Sequence, residues 1–86
     1  ASIPTDAGPL GILLDVPRKR LYVTNREAGT VTAYNSDSYQ KVATYTVPTH
    51  PNSLALDAKN NVLFVSIKNG EKDDKGADES VARIQL

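Results

Sequence analysis

The chain repeats itself. Residues 8–25, GPLGILLDVPRKRLYVTN, lie without a gap on residues 50–67, HPNSLALDAKNNVLFVSI, after a shift of 42 positions. Pro9, Leu14, Asp15, Leu21 and Val23 fall on Pro51, Leu56, Asp57, Leu63 and Val65; Tyr22 and Thr24 fall on Phe64 and Ser66 and are kept in kind. A fixed period constrains a fold more than any single motif does. Each unit must be one supersecondary module that buries its apolar face only by stacking on a neighbour.

Within each unit the signals are those of strands. LGILLD (residues 10–15) and SLALD (residues 53–57) are short, nearly continuous apolar runs, as expected of an innermost strand buried on both faces. RLYVTN and VLFVSI are rich in β-branched and aromatic residues. TVTAYN follows, with Val31 and Ala33 on one face and Thr30, Thr32 and Tyr34 on the other. QKVATYTV carries Lys41, Thr44 and Thr46 among its apolar residues, which suits an outer, partly solvated strand. The breaks between these runs hold turn formers: Asp15 before VPRKR, DAKNN, EAG and NSDS. No segment has the apolar period of a helix.

A period of this length made only of strands predicts an all-β fold of β-propeller blades, four-stranded antiparallel sheets of about 40–50 residues each. Residues 10–47 make one complete blade. Residues 1–9 read as the tail of a preceding blade with its lead-in loop, and residues 48–86 as a last blade lacking its outer strand, with a charged loop at 68–80. Propellers close on themselves with typically four to eight blades. The expectation is therefore an incomplete propeller fragment, whose partners are the remaining blades of a parent chain or copies of itself joined through exposed sheet edges.

Composition removes several classes of function. Ten basic residues balance ten acidic ones, so charge does not imply nucleic acid, although a longer parent is left open, and it does not imply an anionic membrane. No apolar run approaches the ~20 residues of a membrane span. There is no cysteine, which excludes disulfides, thiolate metal sites and cysteine nucleophiles and leaves the compartment open. No cofactor is expected. The charged loop brings Asp73, Asp74, Asp78 and Glu79 together, but their spacing is not that of a helix-flanked calcium loop and lysines compete for the carboxylates. The expectation there is a solvated loop and no metal site.

LYVTN at residues 21–25, followed by a short turn and TVTAYN, resembles the signature of the YVTN-family β-propeller repeat. The stretch from residue 44 to residue 86 is more narrowly similar to the carboxyl end of bacterial YncE-like propellers, which finish on such a strand after a charged insertion. The resemblance implies a seven-bladed parent exported to the periplasm, in which an amino-terminal strand completes the last blade. Family members serve as surface-layer, cofactor-carrying or binding propellers, so the fold by itself does not choose among them.

No catalytic constellation is visible. The single histidine, His50, has Thr49 and Ser53 nearby, but neither stands on a glycine-flanked elbow, and no second histidine or cysteine exists to share a metal. His50 reads either as a loop residue satisfied by backbone or as a ligand-facing group. Because strands alternate in direction, PTDAGP, NREAG, VPTHPN and the charged loop fall at one end of the blades, and DVPRKR, DAKNN and NSDS at the other. The first end collects the candidate ligand-binding residues Asp6, Asn25, Arg26, His50, Asn52 and Lys68. Arg26 and Lys68 are equivalent in the repeat and would set positive charge around a mouth that takes an anion; alternatively both are strand-end cations that protect an edge. The run Arg18, Lys19, Arg20 has no aromatic stacking partners beside it, so phosphate recognition is not expected there. The function expected is a non-enzymatic binding scaffold. The alternative is part of a propeller enzyme, a lactonase-like hydrolase or a cofactor-dependent reductase, with catalytic residues in other blades.

Overall fold

Seven strands form two antiparallel sheets stacked face to face. In the computed structural model, which describes residues 2–48, 50–68 and 80–86, strands β1 (Pro9–Asp15), β2 (Arg20–Asn25), β3 (Thr30–Asn35) and β4 (Lys41–Thr46) pair in chain order as one sheet. Strands β5 (Pro51–Asp57), β6 (Val62–Ile67) and β7 (Ser80–Gln85) pair in chain order as the second. The charged loop with Asp73, Asp74, Asp78 and Glu79 lies outside the described residues.

The repeat holds at the level of single hydrogen bonds. In both sheets the first strand carries a bulge, between Pro9 and Ile12 in β1 and between Pro51 and Leu54 in β5. The amide freed by each bulge is taken by the hydroxyl kept at the paired position: Gly11 N donates to Thr24 Oγ1 at 2.6 Å, and Ser53 N to Ser66 Oγ at 3.0 Å. That explains why threonine and serine recur there, since an unpaired amide beside a bulge would be costly.

The first hairpin turn also recurs. Asp15 accepts hydrogen bonds from the amide and guanidinium of Arg18, and Asp57 from the amide and side chain of Asn60, so the carboxylate three residues earlier closes each turn. Lys19 and Asn61 end these turns in the left-handed region, at φ 54° and 58°. Ser36 N then bonds Lys19 O at 3.0 Å, and Leu86 N bonds Asn61 O at 2.8 Å, which shows that the third strand is offset by 50 rather than 42 positions in the second sheet. The eight added positions fall between β6 and β7.

The core lies between the sheets. Tyr22, Val31, Ala33 and Val47 from the first unit pack on Leu63, Val65 and Ile67 from the second, with Leu13, Tyr45, Leu54, Leu56 and Ile84 around them. Alternation places Leu13, Tyr22, Val31 and Ala33 on the inner face, as the period of two requires. Gly11 stands at a close approach of the two sheets: a Cβ there would sit 2.6 Å from Asn52 O.

The innermost strand departs from expectation. LGILLD was expected to be buried on both faces, yet Leu10, Ile12 and Leu14 are 55%, 69% and 56% exposed. Their side chains point away from the second sheet, and the short segment at residues 2–6 bonds on that outer face to Thr30, Thr32 and Tyr34 of β3 and to Lys41 of β4. Tyr34 is buried beneath it and donates from Oη to Pro4 O at 2.9 Å.

Candidate functional site

Six residues were expected to gather at one end, and the structure divides them into two groups. Asn25 and Asp6 belong to an internal polar chain. Asn25 is fully buried at the end of β2, and its Nδ2 donates to Thr32 Oγ1 at 2.9 Å and Thr30 Oγ1 at 3.2 Å. Both threonine hydroxyls pass the chain on to Asp6 Oδ2, at 3.0 Å from Thr30 and 3.4 Å from Thr32, and Lys41 Nζ stands 3.4 Å from Asp6 Oδ1. The Thr30 hydrogen bond, helped by Lys41 and Thr32 and opposed by burial, holds the Asp6 carboxyl below its ordinary value.

The donor count of this chain closes. One amide nitrogen supplies two hydrogens to two hydroxyls, which supply one each to a single carboxylate oxygen. Its effect is to tie the segment before β1 to β3 and β4. Thr30, Thr32 and Lys41 were not singled out from the sequence as partners of Asp6 and Asn25. The signal was present in the T-x-T spacing of TVTAYN, which puts both hydroxyls on one face beside a strand-end asparagine. Among the described residues Asn25 Oδ1 is buried without a hydrogen-bond partner.

The other four residues do come together. Arg26 N bonds Gly8 O at 2.7 Å, and the equivalent Lys68 N bonds His50 O at 3.0 Å, so each cation is held where the second strand meets the loop leading into the first. Arg26 then reaches the second unit, donating from Nη2 to Lys68 O at 3.4 Å. Asn52 O accepts from Thr24 Oγ1 at 3.0 Å, which fixes β5 against β2 at the same end. Asn52 and Lys68 line an open hollow of about 500 Å³ with Ser66, Ile67, Ser80 and Val81. Its rim offers an ammonium, an amide and two hydroxyls.

At the opposite end the basic run is occupied structurally. Arg18 pairs with Asp15 at 3.0 Å, whose side chain is fully buried, and donates across to Ala58 O at 3.2 Å. Arg20 folds back onto the carbonyls of Arg18 and Lys19. These two guanidiniums hold turns together. Among the described residues no group of three or more His, Asp or Glu side chains is placed to hold a metal ion.

The chain is 39% identical over 79 residues to the protein named uncharacterized protein YncE from Salmonella typhimurium, a match covering 90% of this chain and 22% of that relative. The YncE protein of Salmonella typhi matches over the same extent, and that of Escherichia coli K12 is 58% identical over 31 residues. No family model matches the chain. The chain spans about a fifth (22%) of the length of the Salmonella relatives. Over nine tenths (90%) of its own length it is similar to the YncE proteins.

Proposed function

We propose that the chain is part of a YVTN-type β-propeller that works as a non-enzymatic binding scaffold, taking an anionic ligand at the end where Arg26 and Lys68 meet. The observation that carries this reading is the hydrogen bond from Arg26 Nη2 to Lys68 O, because it joins repeat-equivalent cations of adjacent sheets at one end. If further sheets continue the same stacking, each brings its own strand-end position to that end, and charge accumulates around it without any one residue being buried. The propeller fold and an exported, periplasmic location are carried over from the resemblance of LYVTN and TVTAYN to the YVTN repeat.

The test is calorimetric titration of the chain with inorganic tripolyphosphate at low and moderate salt. The expected result is salt-sensitive binding that the pair Arg26→Ser with Lys68→Ser weakens roughly tenfold or more, as loss of charge-assisted contacts requires. Arg20→Ser, at the opposite end, should leave it unchanged. Equal binding by the wild type and the paired variant, or no binding by the wild type, overturns the reading.

A further inference from the structure

Two sheet faces are left open by the described residues, and the repeat itself states what fits them. On the first sheet, Ile12, Leu14, Leu21 and Val23 are the equivalents, 42 positions earlier, of Leu54, Leu56, Leu63 and Val65, which pack on the inner face of the first sheet. Leu10, Ile12, Leu21 and Val23 line an apolar groove of about 290 Å³ with Ile3 and Thr5. On the second sheet, Ala55, Phe64 and Val81 are the equivalents of Leu13, Tyr22 and Val31, which provide that inner face. Ser53, Ala55, Phe64, Ser66 and Val81 line a hollow there, and Val81 is 65% exposed. The open faces are therefore the two halves of the interface that the chain already makes once within itself.

The strand edges agree. In the first sheet, Tyr45 and Thr46 of β4 pair with Val31 and Thr30 of β3, and Val47 continues into the core against Leu63 and Val65. In the second sheet β7 has no strand on its outer side among the described residues. Ile3, Pro4 and Thr5 stand 42 positions before Tyr45, Thr46 and Val47, and Ile3 and Thr5 line the groove with Leu21 and Val23, as Tyr45 and Val47 belong to the core with Leu63 and Val65. A short segment at the positions equivalent to the end of a fourth strand is thus already in place on the open face of the first sheet.

We propose that this chain associates head to tail with a second copy of itself. The open face of one copy's three-stranded sheet seats on the open face of the next copy's four-stranded sheet, and residues 2–4 of that next copy lie along the free edge of β7. Carrying the β3–β4 register over puts Ile3 of one copy opposite Val81 of the other, and Pro4 opposite Ser80. The contact is heterologous, with different surfaces on the two sides, so it propagates from copy to copy and ends only where the rotation between copies closes a ring. It is also looser than the interface within the chain, because Ser53 carries a Cβ where Gly11 leaves room for Asn52 O.

The experiment is light scattering after size exclusion across roughly a hundredfold range of protein concentration, where mass action displays a reversible assembly. Ile12→Asp and Val81→Asp change strongly exposed positions, and circular dichroism of each variant checks that strand content is kept. The expected result is a wild-type mass that rises with concentration, each variant alone at the monomer mass, and an equimolar mixture of the two that forms a dimer and stops there. That mixture keeps one intact face of each kind. A wild type that stays monomeric throughout overturns the proposal, as does a Val81→Asp chain that associates with itself, which would mark a symmetric contact through the first sheet alone.

Discussion

The guanidinium of Arg26 donates from Nη2 to the main-chain carbonyl of Lys68 at 3.4 Å, so two positions 42 residues apart in the sequence touch at one end of the molecule. The contact is to a carbonyl, so the Arg26 guanidinium keeps its charge and the Lys68 ammonium takes no part in the bond. It is an exposed, single hydrogen bond at the edge of the distance range and contributes little to folding.

Arg26→Ala should therefore leave the unfolding midpoint almost where it is, within the ~0.5 kcal/mol typical of surface substitutions. Urea denaturation of the two chains side by side measures this. A loss several times larger would make Arg26 a fold-holding residue rather than one free to face a ligand.

Gly11 is different because room, not flexibility, is what it supplies. A Cβ at that position would stand 2.6 Å from Asn52 O and 2.9 Å from Thr24 Oγ1, both held in the bulge network. Gly11→Ala has to push the second sheet away from the first, at a cost of about 1–3 kcal/mol, the range for overpacking. Ser53→Gly at the equivalent place relieves no such contact within the chain and should not be matched by a gain of that size. Thermal unfolding of both variants gives the comparison.

Thr24→Val keeps the shape of the side chain and removes its hydroxyl. Gly11 N then loses its acceptor and Asn52 O loses a donor, both part-buried main-chain groups. A destabilisation of about 1–3 kcal/mol is expected from leaving them unsatisfied. Hydrogen exchange at the Gly11 amide, faster in the variant than in the wild type, locates the loss at the bulge.

The pH dependence of Asp6 has a definite sign. Its carboxyl is held below the ordinary value of 3.8, first by the Thr30 hydroxyl. A depressed folded-state value means that the stabilisation is fully present above the unfolded value and is lost as pH falls through the folded one. Asp6→Asn should remove that part of the acid dependence. Following the unfolding midpoint from neutral pH down through the carboxylate range should give a shallower decline in the variant, and superimposable curves would show that the polar chain through Thr30 and Thr32 does not hold the segment at residues 2–6.

Leu63 is fully buried at the centre of the core between the sheets. Leu63→Ala should cost about 2–5 kcal/mol, from lost apolar transfer and the cavity left behind. Chemical denaturation gives the figure directly, and a cost under 1 kcal/mol would mean that the stacked interface is not where the stability resides.

The strands were legible because their evidence is local. Alternation in RLYVTN and TVTAYN, and the turn formers between them, fix which residues pair and which face they share, and β2, β3 and β6 span the residues read for them. The candidate site was legible only in part. Arg26, His50, Asn52 and Lys68 gather as the alternation of strand direction requires. Asp6 and Asn25 were placed with them by loop position alone, and the structure commits their side chains to Thr30 and Thr32 instead. A loop assignment says at which end a residue lies; it does not say whether its polar atoms are already used.

The sequence by itself determined the repeat, the all-β architecture and the recurrence of Asp15 with Asp57 and Thr24 with Ser66, because each rests on spacing along one chain and on hydrogen bonds closed within one hairpin. Only the tertiary structure decided which apolar residues are covered. Leu13 and Leu14 are indistinguishable as letters, yet one packs against the second sheet and the other is 56% exposed, since a strand has two faces and burial depends on what stacks on each. The meeting of Arg26 with Lys68 and the close approach of Asn52 to Gly11 likewise follow from how the two sheets stack, a relation between units that no local pattern encodes.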